Sequence, residues 1–127
     1  MNKINPIFSV LAVIILIVIL FFVMWYFSRT PSPYGNLDAF AECLAEKEVT
    51  MYGAYWCEYC KKERAGFGSS FEYIPYVECT EEVETCVAKG IEGYPTWIFP
   101  DGRKLTGLQG VEKLSEVSGC ELPPLQN

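Results

Sequence analysis

Two cysteines separated by two residues form the most reactive pattern in this 127-residue sequence. Cys57 and Cys60 directly follow an apolar segment, Val49 to Trp56, that has the composition of a strand buried on both faces. We expect a helix to open at the pair, so that its first N–H groups and its dipole stabilise a thiolate on Cys57. Cys60, one turn further on, can then resolve a mixed disulfide. The spacing therefore predicts thiol–disulfide exchange.

Two other interpretations of the pair stay open, namely a static disulfide and one half of a zinc site. A zinc site needs two further thiolates at close spacing, and Cys79 and Cys86 are too far apart along the chain for a standard zinc ribbon. The sequence has no histidine, which excludes imidazole-based triads and histidine-containing zinc sites. We predict no metal site and no cofactor.

The segment from Gly93 to Thr96 carries a second signal. Its Pro95 stands just before an apolar strand and follows Tyr94, which makes the Tyr94–Pro95 bond a candidate cis peptide in a tight turn. We expect this loop to lie beside the dithiol, and Trp56 to shield one side of Cys57.

The elements that position these motifs alternate between helices and strands. Asn36 is a candidate N-cap for a helix with Leu37, Phe40 and Leu44 on one face. The elements that follow are a strand over Val49–Trp56, a helix over Lys61–Ala65, a strand over Tyr73–Glu78, a helix over Glu81–Lys89 capped by Thr80, a hairpin of Thr96–Phe99 with Arg103–Thr106, and a helix over Val111–Val117. Helices between strands imply parallel pairing, and the hairpin adds an antiparallel pair. The order predicts an α/β, thioredoxin-like fold, with a four-stranded mixed sheet and flanking helices.

A long apolar segment precedes this domain. Between Ile7 and Phe27 only Ser9 is polar, and at 1.5 Å per residue the run is roughly 31 Å long, enough to cross a bilayer. A cleaved signal peptide is the alternative, but Pro31 lies just past the candidate cleavage site. We expect an uncleaved transmembrane anchor over 1–29, with residues 7–27 spanning the membrane. A linker over 30–36, a domain over 37–120 and a tail over 121–127 would follow.

Charge and cysteine content bear on location and partners. Lys3 and Arg29 flank the apolar segment almost symmetrically, so the positive-inside rule does not orient it. Six cysteines in a small domain are typical of an oxidising compartment. We therefore place the N-terminus in the cytoplasm and the domain on the periplasmic, extracytoplasmic side. Residues 30–127 carry a net charge of −8, which disfavours nucleic-acid binding.

The motifs around the dithiol resemble those of the thioredoxin and protein disulfide isomerase superfamily. Three longer strings, Met51–Cys57, Tyr76–Cys79 and Ile91–Trp97, closely resemble the thioredoxin-like domain associated with bacterial and plant homologues of vitamin K epoxide reductase. The resemblance covers roughly Leu37–Cys120. It implies that Cys57 is the nucleophile and Cys60 the resolving thiol. It also implies that Pro95 is a cis-proline that shapes substrate docking, with Trp56, Tyr94 and Thr96 around it.

The same resemblance implies a route for electrons. In that family the domain takes electrons from substrate protein thiols and passes them to a four-helix membrane reductase that reduces quinone. Because this chain has a single apolar span, we expect such a vitamin K epoxide reductase-like partner to be a separate membrane protein. Two alternatives are a tethered disulfide reductase or isomerase of the cytochrome-maturation type, and a redox-inert thioredoxin-like adaptor.

The chain departs from the thioredoxin pattern at one position near the dithiol. Thioredoxins carry a buried acid six positions before the first active cysteine, where this chain has Met51. The dipeptide Glu58–Tyr59 and the following Lys61 tune the couple, because Glu58 disfavours a thiolate on Cys57 while Lys61 opposes that effect. We expect a less oxidising couple than that of strong oxidants with this fold, which usually carry histidine in the dipeptide.

The other four cysteines are expected to form two disulfides. A local bridge between Cys79 and Cys86 is geometrically reasonable, which leaves Cys43 with Cys120. We expect both to be structural, with an exchange relay between one of them and the active pair as the alternative. Tyrosines are also abundant around the dithiol, and they line either a docking groove or the core: Tyr52, Tyr55, Tyr59, Tyr73, Tyr76 and Tyr94.

Overall fold

The computed structural model of the protein describes residues 6–27 and 32–126, which belong to two units, Met1–Pro31 and Ser32–Asn127. In the first unit, α1 (Pro6–Phe27) is a single helix of branched and aromatic residues. Its segment Pro6–Tyr26 has a mean hydropathy of 3.4, which fits a membrane span and equally a signal sequence. Lys3 and Arg29, which flank this helix, lie outside the described residues.

The second unit is an α/β domain with a four-stranded mixed sheet. Its elements are α2 (Asp38–Glu46), β1 (Thr50–Gly53), α3 (Glu58–Phe67), a 3₁₀ helix (Gly68–Tyr73), β2 (Tyr76–Glu78), α4 (Val83–Ala88), β3 (Thr96–Ile98), β4 (Lys104–Thr106) and α5 (Gly110–Ser118). The sheet order is β2-β1-β3-β4. The β1–β2 pair is parallel, and the β1–β3 and β3–β4 pairs are antiparallel. The predicted fold class is confirmed.

The alternation of side chains along β1 divides the core into two clusters. Met51 belongs to the larger cluster, which joins Trp97 of β3 to apolar residues of α2, α3 and α5. Tyr52, the next residue, belongs to a smaller cluster around the buried Cys79 and Cys86. The two faces of β1 therefore serve different parts of the domain, and the face of Met51 is the one that carries α3.

Two element boundaries differ from the sequence prediction near the dithiol. Strand β1 ends at Gly53 instead of Trp56, because the chain turns there and the N–H of Cys57 donates to the carbonyl of Ala54 over 3.0 Å. Helix α3 begins at Glu58, earlier than the predicted Lys61, because Cys57 caps it. The 3₁₀ helix was not predicted, and it delays the start of β2 from Tyr73 to Tyr76.

Both predicted N-caps are wrong, by one residue along the chain for α2 and by two for α4. The N-cap of α2 is Leu37, while the side chain of Asn36 accepts the N–H of Asp38 over 2.7 Å from one position further out. Helix α4 begins at Val83, after Glu82, and Thr80 takes no part in it. The hydroxyl of Thr80 donates instead to Glu78 over 2.7 Å, so it is not available as a cap.

The second unit extends beyond the predicted domain over 37–120 at both ends. Tyr34, in the predicted linker, packs against the larger core cluster, as does Leu122 in the predicted tail. The N–H of Gln126 donates to the carbonyl of Pro33 over 3.0 Å, so the two ends of the unit are hydrogen-bonded to each other. The linker residues 30 and 31 and the tail residue 127 lie outside the described residues.

Candidate active site

Cys57 and Cys60 are free thiols at the N-terminus of α3. Cys57 is the N-cap, and its Sγ accepts a hydrogen bond from the backbone N–H of Cys60 over 3.1 Å. A thiolate accepts such a bond more strongly than a thiol does, and the helix dipole acts in the same direction. Cys57 is 6% exposed and Cys60 1% exposed. The geometry presents Cys57 to an incoming sulfur and keeps Cys60 behind it.

The two cysteines differ in their surroundings. Burial raises the pKa of Cys60 to about 12, and the hydrogen bond with Cys57 and the negative charge of Glu78 act in the same direction. At neutral pH Cys60 is therefore a thiol that must lose its proton before it can attack. This asymmetry suits a pair in which one sulfur attacks and the other resolves.

A groove crosses the surface at Cys57. Its volume is about 620 Å³. The lining residues come from the first turn of α3 and from the loop before β3: Trp56, Cys57, Glu58, Tyr59, Ile91, Glu92, Gly93 and Tyr94. The rings of Trp56 and Tyr94 meet edge to face with centroids 5.9 Å apart. An extended peptide lying in this groove would pass over Cys57 between aromatic walls.

The loop opposite the dithiol contains the cis peptide bond Tyr94–Pro95. Of the four residues predicted to dock substrate, Trp56 and Tyr94 line the groove, whereas Pro95 and Thr96 are buried beneath it. The hydroxyl of Thr96 donates to the carbonyl of Gly93 over 2.7 Å. Thr96 therefore holds the loop from below and does not form part of the groove wall.

The residues predicted to tune the couple lie at the exposed start of α3. Glu58 Oε1 forms an ion pair with Lys61 Nζ over 2.7 Å. The hydrogen bond from Lys61 lowers the pKa of Glu58, so its carboxylate stays ionised beside Cys57. The ammonium of Lys62 lies 5.5 Å from the centroid of the Tyr59 ring. The acidic residue in the dipeptide is thus offset by a lysine one turn away.

Two residues near Cys60 were not assigned to the site from the sequence. Tyr76 Oη donates to Glu78 Oε2 over 2.8 Å. The other oxygen, Glu78 Oε1, accepts the N–H of Tyr55 over 3.2 Å and the hydroxyl of Thr80 over 2.7 Å. The signal for them in the sequence is their spacing: they alternate on the strand that follows the dithiol helix, so both side chains point to one face.

The remaining cysteines form the disulfides Cys43–Cys120 and Cys79–Cys86, the pairing proposed from the sequence. Their Cα–Cα distances are 5.9 and 5.7 Å, within the ordinary range. Because Cys79 and Cys86 are bonded to each other, neither offers a thiolate to a metal ion. Within the described residues 6–27 and 32–126, no group of three or more His, Cys, Asp or Glu side chains lies close enough to hold one.

Comparison with known proteins finds relatives of this chain among thiol-disulfide oxidoreductases and protein disulfide-isomerases. The chain is 35% identical over 104 residues to the thiol-disulfide oxidoreductase LTO1 of Arabidopsis thaliana, a match that covers 75% of this chain and 27% of that protein. It is 32% identical over 68 residues to a protein disulfide-isomerase of Arthroderma benhamiae, which covers 46% of this chain and 13% of that protein. The chain thus spans about a quarter or less of the length of these relatives.

A solved structure and the family models complete the comparison. The first thioredoxin domain of mouse protein disulfide-isomerase A4 matches 75% of this chain and 83% of its own length, at 19% identity and with a TM-score of 0.38. No family model matches the chain.

Proposed function

Because this chain is a member of the thioredoxin-like superfamily, we propose that it is a membrane-anchored thiol–disulfide oxidoreductase that oxidises the thiols of substrate proteins. In the proposed cycle a substrate thiolate attacks the Cys57–Cys60 disulfide at Cys57 and forms a mixed disulfide, while Cys60 leaves with the electron pair and takes up a proton. A second substrate thiolate then displaces Cys57, and the substrate leaves with a new disulfide.

The observation that carries this proposal is the position of Cys57. Its sulfur caps α3, accepts the N–H of Cys60 over 3.1 Å and faces the groove. A structural disulfide needs no groove beside it and no difference in surroundings between its two sulfurs. The burial that raises the pKa of Cys60 to about 12 supports the division into an attacking and a resolving thiol.

The direction of electron flow and the partner follow from the resemblance to domains associated with vitamin K epoxide reductase homologues. In this proposal the reduced dithiol is reoxidised by a quinone-linked membrane protein of that kind. The apolar helix α1 supports a membrane location, where it would keep the domain close to such a partner. The disulfides Cys43–Cys120 and Cys79–Cys86 support an oxidising, extracytoplasmic compartment.

Trapping of mixed disulfides tests the activity. In cells that express the full chain, Cys60→Ser should accumulate disulfide-linked adducts on Cys57, because the resolving thiol is gone. Cys57→Ser with Cys60→Ser is the matched control and should show none. Adducts that resist reduction, or adducts that persist in the double variant, would contradict the assignment of Cys57. A complete lack of adducts would favour the redox-inert adaptor.

The redox state of the wild-type pair tests the direction. Rapid acid quenching and alkylation should find Cys57 and Cys60 mostly oxidised, and mostly reduced after the quinone pool is reduced. A pair that is mostly reduced under both conditions would favour the alternative of a tethered reductase. Carbonate extraction and labelling with a membrane-impermeant thiol reagent test the anchor and its orientation, and release of the protein by carbonate would contradict the anchor.

A further inference from the structure

The buried thiol of Cys60 needs a group that accepts its proton when Cys60 attacks and returns it when Cys60 leaves. Its pKa is raised to about 12 by burial and by its neighbours, and it is only 1% exposed. The residue at the position of the thioredoxin acid is Met51, which is fully buried and cannot carry a proton. A carboxylate or hydroxyl from another element can serve instead.

Strand β2 brings two such groups to the face of β1 that carries Met51. The parallel register places Tyr76 opposite Met51 and Glu78 opposite Gly53. Because side chains alternate along a strand, Tyr76 and Glu78 point to the same face. The position that lacks an acid on β1 therefore has a tyrosine beside it, and that tyrosine is hydrogen-bonded to an acid.

Gly53 lies next to both Cys60 and Tyr76. A Cβ atom built at Gly53 would lie 3.0 Å from Cys60 Sγ and 3.2 Å from Tyr76 Oη. The sulfur and the phenol oxygen thus border the same small space beside Gly53. The hydroxyl proton of Tyr76 is donated to Glu78 Oε2, so the oxygen of Tyr76 presents only its lone pairs to the thiol.

A buried carboxylate of α3, Glu63, already has hydrogen-bond partners for both of its oxygens. Glu63 is 2% exposed, and its two oxygens accept the N–H groups of Gln109 and Gly110 over 2.8 and 2.9 Å. Glu78, by contrast, is half-buried and reaches solvent, which lets it exchange protons with water. Arg64 also lies close to Tyr76, with its guanidinium carbon 5.4 Å from the centroid of the tyrosine ring.

We propose that Tyr76 and Glu78 form the proton-transfer pair of Cys60, in place of the acid that thioredoxins carry on the first strand of this motif. The proposal rests on the proposed function and adds to it the path of the resolving proton. Tyr76 accepts the proton of Cys60 as it passes its own to Glu78, which delivers it to solvent. The same path in reverse protonates Cys60 when it is the leaving group.

The resolving step balances in atoms and electrons. The Cys60 thiol loses its proton through Tyr76 to Glu78, and the resulting thiolate attacks the Cys57 sulfur of a mixed disulfide. The Cys57–Cys60 bond forms, the bond from Cys57 to the substrate sulfur breaks, and the electron pair leaves on the substrate sulfur. The cysteine pair is oxidised and the substrate sulfur is reduced, with no other reactant.

A two-phase assay separates this proposal from the proposed function. The reduced full chain, in detergent, is mixed with a peptide whose cysteine carries a thionitrobenzoate disulfide. Attack by Cys57 releases the coloured thionitrobenzoate, and attack by Cys60 then releases the peptide thiol. We expect Glu78→Gln and Tyr76→Phe to keep the first phase and to slow the second about ten- to a hundredfold at pH 7. Glu72→Gln and Tyr73→Phe are the matched controls and should leave both phases unchanged.

The pH profile distinguishes proton transfer from a disturbed structure. The deficit of Glu78→Gln should shrink as the pH rises, because hydroxide takes over removal of the proton, whereas a structural defect would persist at every pH. A second phase as fast as in the wild type would overturn the proton-transfer pair, as would a deficit that does not change with pH. If the wild type itself releases no thionitrobenzoate, the proposed function fails instead.

Discussion

Gly53 packs against Cys60 so closely that a Cβ atom on the glycine would lie 3.0 Å from the cysteine sulfur. The backbone of Gly53 is not in the left-handed region, so the requirement for glycine comes from this approach and not from its conformation. Between them, the β1 strand end and the first turn of α3 leave no room for a side chain beside the resolving thiol.

The first prediction concerns this contact. Gly53→Ala should lower the free energy of unfolding by about 1–3 kcal/mol, because the added methyl group overpacks the space next to Cys60 and Tyr76. It should also slow the release of peptide thiol in the two-phase assay. Gly66→Ala is the matched control, since a Cβ there meets no atom within 4 Å and α3 should gain up to about 1 kcal/mol. Equal stability of the two variants in urea unfolding would contradict the close contact.

The second prediction concerns the buried carboxylate that joins α3 to α5. Burial raises the pKa of Glu63 in the folded state, although the N–H groups of Gln109 and Gly110 act in the opposite direction. The folded state therefore binds this proton more tightly than the unfolded state does. The contribution of Glu63 to stability is largest below its unfolded pKa and falls as the pH rises through its folded pKa.

Glu63→Gln should remove this pH dependence and cost about 1–3 kcal/mol, because an amide cannot accept both N–H bonds as the carboxylate does. Urea unfolding between pH 4 and 8 measures the effect, with the exposed Glu72→Gln as the control. A stability profile for Glu63→Gln that runs parallel to that of the wild type would show that Glu63 does not titrate differently in the two states.

The third prediction concerns the two disulfides. The Cys43–Cys120 bridge spans 77 residues and the Cys79–Cys86 bridge spans 7. In the loop-entropy model the longer closure contributes about 4 kcal/mol and the shorter about 2 kcal/mol. Replacing both cysteines of each bridge by serine should therefore destabilise the domain more for Cys43–Cys120, as measured by urea unfolding.

The two double-serine variants also test the exchange relay. If both bridges are structural, each variant should react with the peptide disulfide at the wild-type rate while it remains folded. A variant that stays folded but loses the second phase of the assay would instead assign its bridge to the transfer of electrons.

The fourth prediction concerns the redox potential. Glu58→Gln removes a negative charge next to Cys57, so the thiolate and with it the reduced form become more stable. The potential, measured by equilibration with glutathione, should rise by an amount on the order of 10 mV, since Lys61 already offsets part of the charge. Glu72→Gln should not change it. A wild-type potential near about −120 mV, the value of strong oxidants, would contradict the expected weaker couple.

The parts of the site that sequence reasoning recovers are those set by local chemistry. The pair Cys57 and Cys60 lies at a helix start because a strand precedes it and a sulfur can cap a helix. The cis bond at Pro95 follows from a proline at the entrance to a buried strand. The mixed character of the sheet was also accessible, since helices between strands favour parallel pairing and the short Pro100–Gly102 connection favours a hairpin, but the antiparallel pairing of β1 with β3 was not.

The parts that escaped depend on register and on competition between hydrogen bonds. Tyr76 and Glu78 lie on the face of β1 that carries Cys60 only because β2 pairs with β1 in one particular register, which no local pattern specifies. Thr80 has the preference of an N-cap, but Glu78 binds its hydroxyl more closely than the helix start does. The position of Thr96 escaped for a similar reason, because its hydroxyl is bonded to the carbonyl of Gly93 beneath the loop.

The division of the core by β1 also bears on disulfide exchange within the domain under the proposed function. Its reactive pair lies with the larger cluster, whereas Cys79 and Cys86 lie in the smaller cluster around Tyr52. Side chains of Glu78 and Cys79 point to opposite sides of the same strand end, so the backbone separates the local bridge from the resolving thiol. Under the proposed function, this separation would keep the active pair from exchanging with the Cys79–Cys86 bridge during the cycle.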